Sequence, residues 1–231
     1  MNILEYCNQK LSNNAEKKEL VATLVNISNK MKGRSCFKRA MTPGDSSSFV
    51  ILLLNEYFKS KNIEFNSYLE VGVLFGGSLC ALYESGFQGT AYGLDIYEGY
   101  YGNLNTAGAG RPFPSDTKTS EEHMKIVYHN CKSYGGEPVL IKANTQDENF
   151  DSLIEGKIDD IQVLYIDGDH TYKGAIADYN KLFAFLKKEG ILLVDNFEIS
   201  GVREAVKEIK ESDLVTELGM WNNTMWIGVK N

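Results

Sequence analysis

Two short apolar runs that break off in acid constrain this chain more than anything else in it. They are Val163-Leu-Tyr-Ile-Asp-Gly-Asp-His170 and Ile191-Leu-Leu-Val-Asp-Asn196. Runs of four apolar residues bounded by Gly and Asp suit central parallel strands covered on both faces. The stretch between them, Tyr172 to Lys188, carries Ile176, Tyr179, Leu182, Phe183 and Leu186 at helical spacing and closes at Gly190, the length of one crossover helix. Two neighbouring parallel strands would then end side by side, and in open α/β sheets ligands sit beyond the carboxyl ends of the strands. Asp167, Asp169, His170, Asp195 and Asn196 are therefore candidate site residues. A single strand-end Asp more often caps a helix or closes a turn; Asp-Gly-Asp-His beside Asp-Asn favours a functional site.

Asp167, Asp195 and Asn196 offer only oxygen ligands, two of them anionic. That donor set suits Mg²⁺, Mn²⁺ or Ca²⁺ and matches zinc poorly.

At 231 residues the chain has the length of one sizeable domain. Its formal net charge of −7 disfavours a protein that tracks a phosphate backbone, so no nucleic-acid partner is expected. Cys7, Cys36, Cys80 and Cys131 are scattered without the close pairs of a zinc or redox motif and read as reduced thiols. No run approaches the roughly 18 apolar residues of a membrane span, and no basic-then-apolar leader pattern opens the chain, so the expected location is cytoplasmic. Residues 1–66 read as an N-terminal helical cover forming one structural unit with 67–231. Leu4, Leu11, Leu20, Leu24, Ile27 and Met31 fit helix with a break near Ser12-Asn13-Asn14, and these helices are a candidate homo-oligomer contact. The 33–44 segment, with Arg34, Lys38 and Arg39, is either a flap or a plain connection. A helix capped by Asp45 or Ser46 then runs to about Lys61.

A first strand, Tyr68-Leu-Glu-Val71, leads into Gly72-Val-Leu-Phe-Gly76-Gly77-Ser78 and a helix, the arrangement that lets backbone amides close on a ligand. The spacing is not that of a Gly-x-Gly-x-x-Gly fingerprint, and a glycine turn alone serves tight packing as readily as ligand binding. The second strand, Ala91-Tyr-Gly-Leu94, ends in Asp95, placed to accept hydrogen bonds from ribose hydroxyls. A third, Pro138-Val-Leu-Ile141, ends in Lys142-Ala-Asn144-Thr-Gln146, which would meet a base or ribose, or cap a helix. A nucleoside-containing cofactor is the leading expectation.

Taken together, Glu70-Val-Gly72-x-x-x-Gly76-Gly77-Ser78, Asp95, Asp167-Gly-Asp-His170 and Asp195-Asn196 resemble a class I S-adenosylmethionine-dependent methyltransferase of the metal-dependent O-methyltransferase type, from about Ser67 onward. The set Asp167, Asp195, Asn196 is similar to the metal ligands of catechol O-methyltransferases. Asp-Gly-Asp-His resembles the fourth-strand end of macrolide-sugar O-methyltransferases. The chain has His170 where the catechol enzymes carry lysine, and Asn196 where the sugar enzymes usually carry a second acid. The resemblance implies an α/β, Rossmann-like, doubly wound, seven-stranded and mostly parallel sheet, with an antiparallel last strand between the fifth and sixth and helices on both faces. It implies S-adenosylmethionine held by Glu70, Gly72, Gly76, Ser78, Asp95, Asn144 and Asp167, and a divalent cation, Mg²⁺ first, on Asp167, Asp195 and Asn196. His170 would be the general base toward a hydroxyl of a sugar or other small-molecule acceptor. A non-catalytic S-adenosylmethionine-binding protein and a nicotinamide-dependent oxidoreductase are the alternatives. The second is disfavoured by the glycine spacing.

The long irregular stretch between Tyr97 and Ser120 reads as a lid over the acceptor, with Tyr100, Tyr101 and Arg111 as candidate contacts. His123 and His129 stand six apart on a predicted helix, the wrong spacing to share a face, and read as packing or solvated residues.

Overall fold

In the computed structural model, which describes residues 1–32, 47–97 and 119–231, seven strands form one sheet. They are β1 (Ser67–Val71), β2 (Thr90–Asp95), β3 (Val139–Lys142), β4 (Ile161–Ile166), β5 (Leu186–Val194), β6 (Val215–Trp221) and β7 (Met225–Lys230). Their spatial order is β3-β2-β1-β4-β5-β7-β6. β1 to β5 pair in parallel, while β7 runs antiparallel to both β5 and β6. This is the Rossmann-like sheet expected from the sequence, with the last strand inserted between the fifth and sixth. The strand order reverses between β1 and β4, the crevice where doubly wound sheets take their ligands.

Side chains alternate across the sheet and feed two cores. Tyr68, Val163, Tyr165, Ile191 and Leu193 pack under α1 (Ile3–Ser12), α2 (Asn14–Lys30), α3 (Ser48–Ser60), α4 (Gly77–Glu84) and α5 (Ser120–Lys132). Leu69, Val71, Leu164, Ile166, Leu192 and Val194 pack under α6 (Phe150–Ile154), α7 (Tyr172–Leu182) and α8 (Ser200–Glu211). α3 is apolar almost all round and is accordingly buried from Ser48 to Asn55; each of its large side chains contributes about 1.5–3 kcal/mol on burial. The break between α1 and α2 falls at Asn13, whose side chain accepts the Ala15 amide at 2.9 Å and so restarts the helix.

Three boundaries differ from expectation. The crossover helix stops at Leu182, passes through a 3-10 turn at Phe183–Phe185, and yields to β5 at Leu186. Gly190 therefore lies inside a strand instead of closing a helix. Its Cβ would stand 2.7 Å from Leu186 Cδ1 and from the Lys187 carbonyl, and Glu189 before it has φ +62°, so the chain kinks where the pairing with β4 shifts register. The short helix α6 has no counterpart in the sequence reading, five residues being too few to show a period. Finally, α3 begins behind Ser47, whose hydroxyl forms no cap; Asp45 and Ser46 lie outside the described residues.

Candidate active site

Register sets the site. Val71 pairs with Leu94 and Ile166, and Ile166 pairs with Val194, so the residues that follow them, Gly72, Asp95, Asp167 and Asp195, stand level at the ends of four adjacent strands. Period-two alternation carries Tyr68 and Glu70 on β1 to the α1–α5 side. On the same side lie Tyr165 and then Asp167 at the end of β4, and Leu193 and then Asp195 at the end of β5.

The turn after β1 is tied from three directions. Asp95 Oδ2 accepts the amides of Val73 and Leu74 at 2.8 and 3.0 Å, and its Oδ1 accepts the Tyr97 amide at 2.8 Å. His123 Nε2 donates to the Leu74 carbonyl at 2.6 Å, and Asn130 Nδ2 donates to the Phe75 carbonyl at 3.0 Å. Leu74 at φ +50° and Gly76 at φ +81° give the turn its tight left-handed path into α4. Gly72 has a different task. At φ +85°, a Cβ there would lie 2.0 Å from the Asp167 carbonyl oxygen, so the glycine lets the ends of β1 and β4 touch.

Glu70 is completely enclosed, accepting the hydroxyls of Ser78 at 2.6 Å and Tyr68 at 2.8 Å. Burial pushes its carboxyl up to about 8, with the charges of Asp167 and Asp95 adding to the rise and the two hydroxyls opposing it. Asn144, half-buried, spends its Oδ1 on the Gln146 amide at 3.0 Å, an Asx turn that shapes the loop after β3.

At the other end of the row the carboxylates converge. The Tyr165 hydroxyl lies 2.7 Å from Asp195 Oδ2 and 3.3 Å from Asp167 Oδ2, and Ser47 Oγ donates to Asp195 Oδ2 at 2.7 Å. Asp195 is 9% exposed, and burial together with the charge of Asp167 pushes its carboxyl up to about 7. Asn196 follows at φ +57°, a conformation uncommon outside glycine that Asn tolerates best. His170 Nε2 stands 3.3 Å from Asp167 Oδ1. Burial alone would lower the imidazolium's pKa, but the hydrogen bond and charge of Asp167, with Asp195 and Asp169 behind it, carry it above the usual 6.5. Asp169 turns away to the start of α7, accepting the amide and hydroxyl of Thr171 at 3.1 and 2.9 Å.

The fit to a hard cation rests on chemistry. Two level carboxylates, one with raised proton affinity, have only His170 nearby as a cationic partner among the described residues, and the set is all oxygen. No three His, Cys, Asp or Glu side chains group at ligand spacing among the described residues. An ion here could draw on the carboxylates of Asp167 and Asp195, with its remaining positions left to other oxygen donors.

Tyr100, Tyr101, Arg111 and the 33–44 segment lie outside the described residues. Of the two other histidines, His123 is a packing residue, 2% exposed and 4.7 Å from the Phe75 ring, while His129 is exposed. No described helix is long and apolar enough to cross a membrane. Tyr165 and Ser47 escaped the sequence reading. Tyr165 was within reach, being two residues before Asp167 and hence on its face.

Among solved structures, the O-methyltransferase NovP superposes with a TM-score of 0.62 at 17% identity, covering 100% of both chains. MycE, a methyltransferase of the mycinamycin biosynthetic pathway in complex with Mg, SAH and mycinamycin VI, superposes at 0.51 and 15% identity over 77% of this chain and 48% of that one. An uncharacterized protein of Acanthamoeba polyphaga mimivirus is 26% identical over 132 residues, 57% of this chain, which thus spans about half (52%) of that relative's length. The family of methyltransferase domains matches residues 69–197, from β1 through Asn196 and over more than half of the chain, and the chain belongs to that family.

Proposed function

We propose that this protein is an S-adenosylmethionine-dependent O-methyltransferase acting on a hydroxyl of a sugar or other small molecule. The observation that carries the reading is the level row of Asp95, Gly72, Asp167 and Asp195 with His170 bonded to Asp167. On this reading a cofactor turn and a hydroxyl-activating group would share one edge of the sheet. The O-methyltransferase fold of NovP and the Mg and SAH bound by MycE support it.

Transfer breaks the bond between sulfur and methyl carbon, with the electron pair staying on sulfur, and forms a bond from that carbon to the acceptor oxygen. The hydroxyl must lose its proton and stand in line with the methyl. Asp95 and the turn after β1 would hold the nucleoside and amino-acid parts of the donor, with Asn144 beside the base. Asp167, Asp195 and Asn196 would hold a divalent cation, whose charge lowers the pKa of a hydroxyl beside it. With Nε2–H given to Asp167, the Nδ1 lone pair of His170 is the one left to take the proton. Activity should fall as pH drops far enough to protonate the His170 imidazole, which then has no lone pair to take the proton.

Titrating S-adenosylmethionine, S-adenosylhomocysteine and NAD separately against the purified chain tests the reading. The two sulfur compounds should bind and NAD should not. Binding of NAD alone would make the protein a nicotinamide enzyme, and binding without methyl transfer to any hydroxyl compound would leave a non-catalytic binding protein.

A further inference from the structure

Two hydrogen bonds tie the loop after β3 to the elements after β4, although β2 and β1 lie between those strands. Thr145 Oγ1 donates to Asp178 Oδ1 on α7 at 2.5 Å, and Gln146 Nε2 donates to Asp169 Oδ2 at 3.2 Å. Thr145 and Asp178 are 5% and 3% exposed, and Asp178 Oδ2 has no partner among the described residues. The missing side chain of Gly168 makes the room: a Cβ there would stand 2.9 Å from that oxygen. Burial, with the charge of Asp169, pushes the Asp178 carboxyl up to about 7 against the Thr145 bond and His170. An apolar residue between Ala175, Tyr179 and Leu182 on the buried stripe of α7 would carry no such cost.

What the carboxyl does is hold Thr145. The loop after β3 runs beside Asp95, where the Ala143 amide donates to the Asp95 carbonyl at 3.1 Å. It therefore walls the crevice above β1 and β2 on one side, and the 167–170 turn walls it on the other. We propose that Asp178 is a positioning residue for the methyl donor, clamping the loop that carries Asn144 against α7 so that the nucleoside end of the crevice keeps a fixed width. The proposal rests on reading the site as an S-adenosylmethionine site.

The test is the dissociation constant for S-adenosylhomocysteine, measured by calorimetry on the full chain well below its melting temperature. Thr145→Val, which removes only the hydroxyl, should bind about tenfold more weakly, whereas Thr145→Ser should stay within about twofold of the unaltered protein. Asp178→Leu should match Thr145→Val; should it not fold, the Thr145 pair decides alone. A merely structural bond would lower the melting temperature of Thr145→Val and leave its dissociation constant unchanged, which would overturn the proposal, as would Thr145→Ser binding as weakly as Thr145→Val. Absence of binding by the unaltered protein would instead defeat the methyl-donor reading, and the clamp with it.

Discussion

The turn after β1 and the rim where β4 and β5 end lie side by side, yet they are finished to different degrees. In the turn, the amides of Val73 and Leu74 and the carbonyls of Leu74 and Phe75 all have protein partners, supplied by Asp95, His123 and Asn130. At the rim, Asp167 and Asp195 crowd one phenol oxygen, and only His170 offsets their charge among the described residues. Two such charges one strand apart repel by roughly 3 kcal/mol at an effective dielectric of about 20. The first region is held by protein partners alone; the second is left short of positive charge among the described residues.

The largest effect should come where the two regions touch. Gly72→Ala puts a Cβ against the Asp167 carbonyl at a φ that alanine resists. A loss on the order of 5 kcal/mol, or failure to fold, is expected in urea unfolding. Gly76→Ala, equally left-handed but 3.1 Å from a Val127 methyl, should cost only about 1–2 kcal/mol. Equal losses would show that the β1–β4 contact is not the rigid joint between the regions.

Beneath the finished turn lies the fully buried carboxyl of Glu70, and pH exposes it. Its folded pKa near 8 lies above the ordinary 4.5, so the folded state holds a proton that the unfolded state releases. The stability it contributes is full below 4.5 and is lost as pH rises through 8, on the order of 5 kcal/mol by linkage. Glu70→Gln should flatten that part of the stability curve. An unchanged slope would mean that the carboxyl is better solvated than its complete enclosure implies.

Smaller still is the response of the rim to cations. At pH 8, Mg²⁺ at ten times its dissociation constant should stabilise the protein by about 1.4 kcal/mol, read as a rise in melting temperature. Asp195→Asn should abolish that response while raising the melting temperature of the metal-free protein, since it removes a buried charge facing Asp167. A Mg²⁺ response that survives Asp195→Asn would place the cation elsewhere.

The row of strand ends was legible because burial on both sheet faces leaves a central strand little freedom: Val163 to Ile166 and Ile191 to Val194 had to be apolar, and Asp167 and Asp195 therefore marked their ends. The end of the crossover helix was not legible. Phe183 and Leu186 continue a helical stripe as well as they begin a buried strand, and only the pairing with Ile161 decides between the two. Ser47 was hidden for another reason, since the carboxylate it serves lies 148 residues away and only the folded sheet brings them together. Asp178 did leave a trace, as a carboxylate on the apolar stripe of α7, but its meaning depends on Thr145 in another loop.

Methyl transfer from labelled S-adenosylmethionine into small molecules of a cell extract, run with and without a chelator on the unaltered protein, Asp167→Ala and His170→Ala, puts the whole scheme at risk. Label should enter an acceptor only with the unaltered protein and free cation, with each substitution and chelation lowering the rate by about a hundredfold or more. Equal rates after chelation and in Asp167→Ala would contradict a cation-assisted transfer at the ends of β4 and β5.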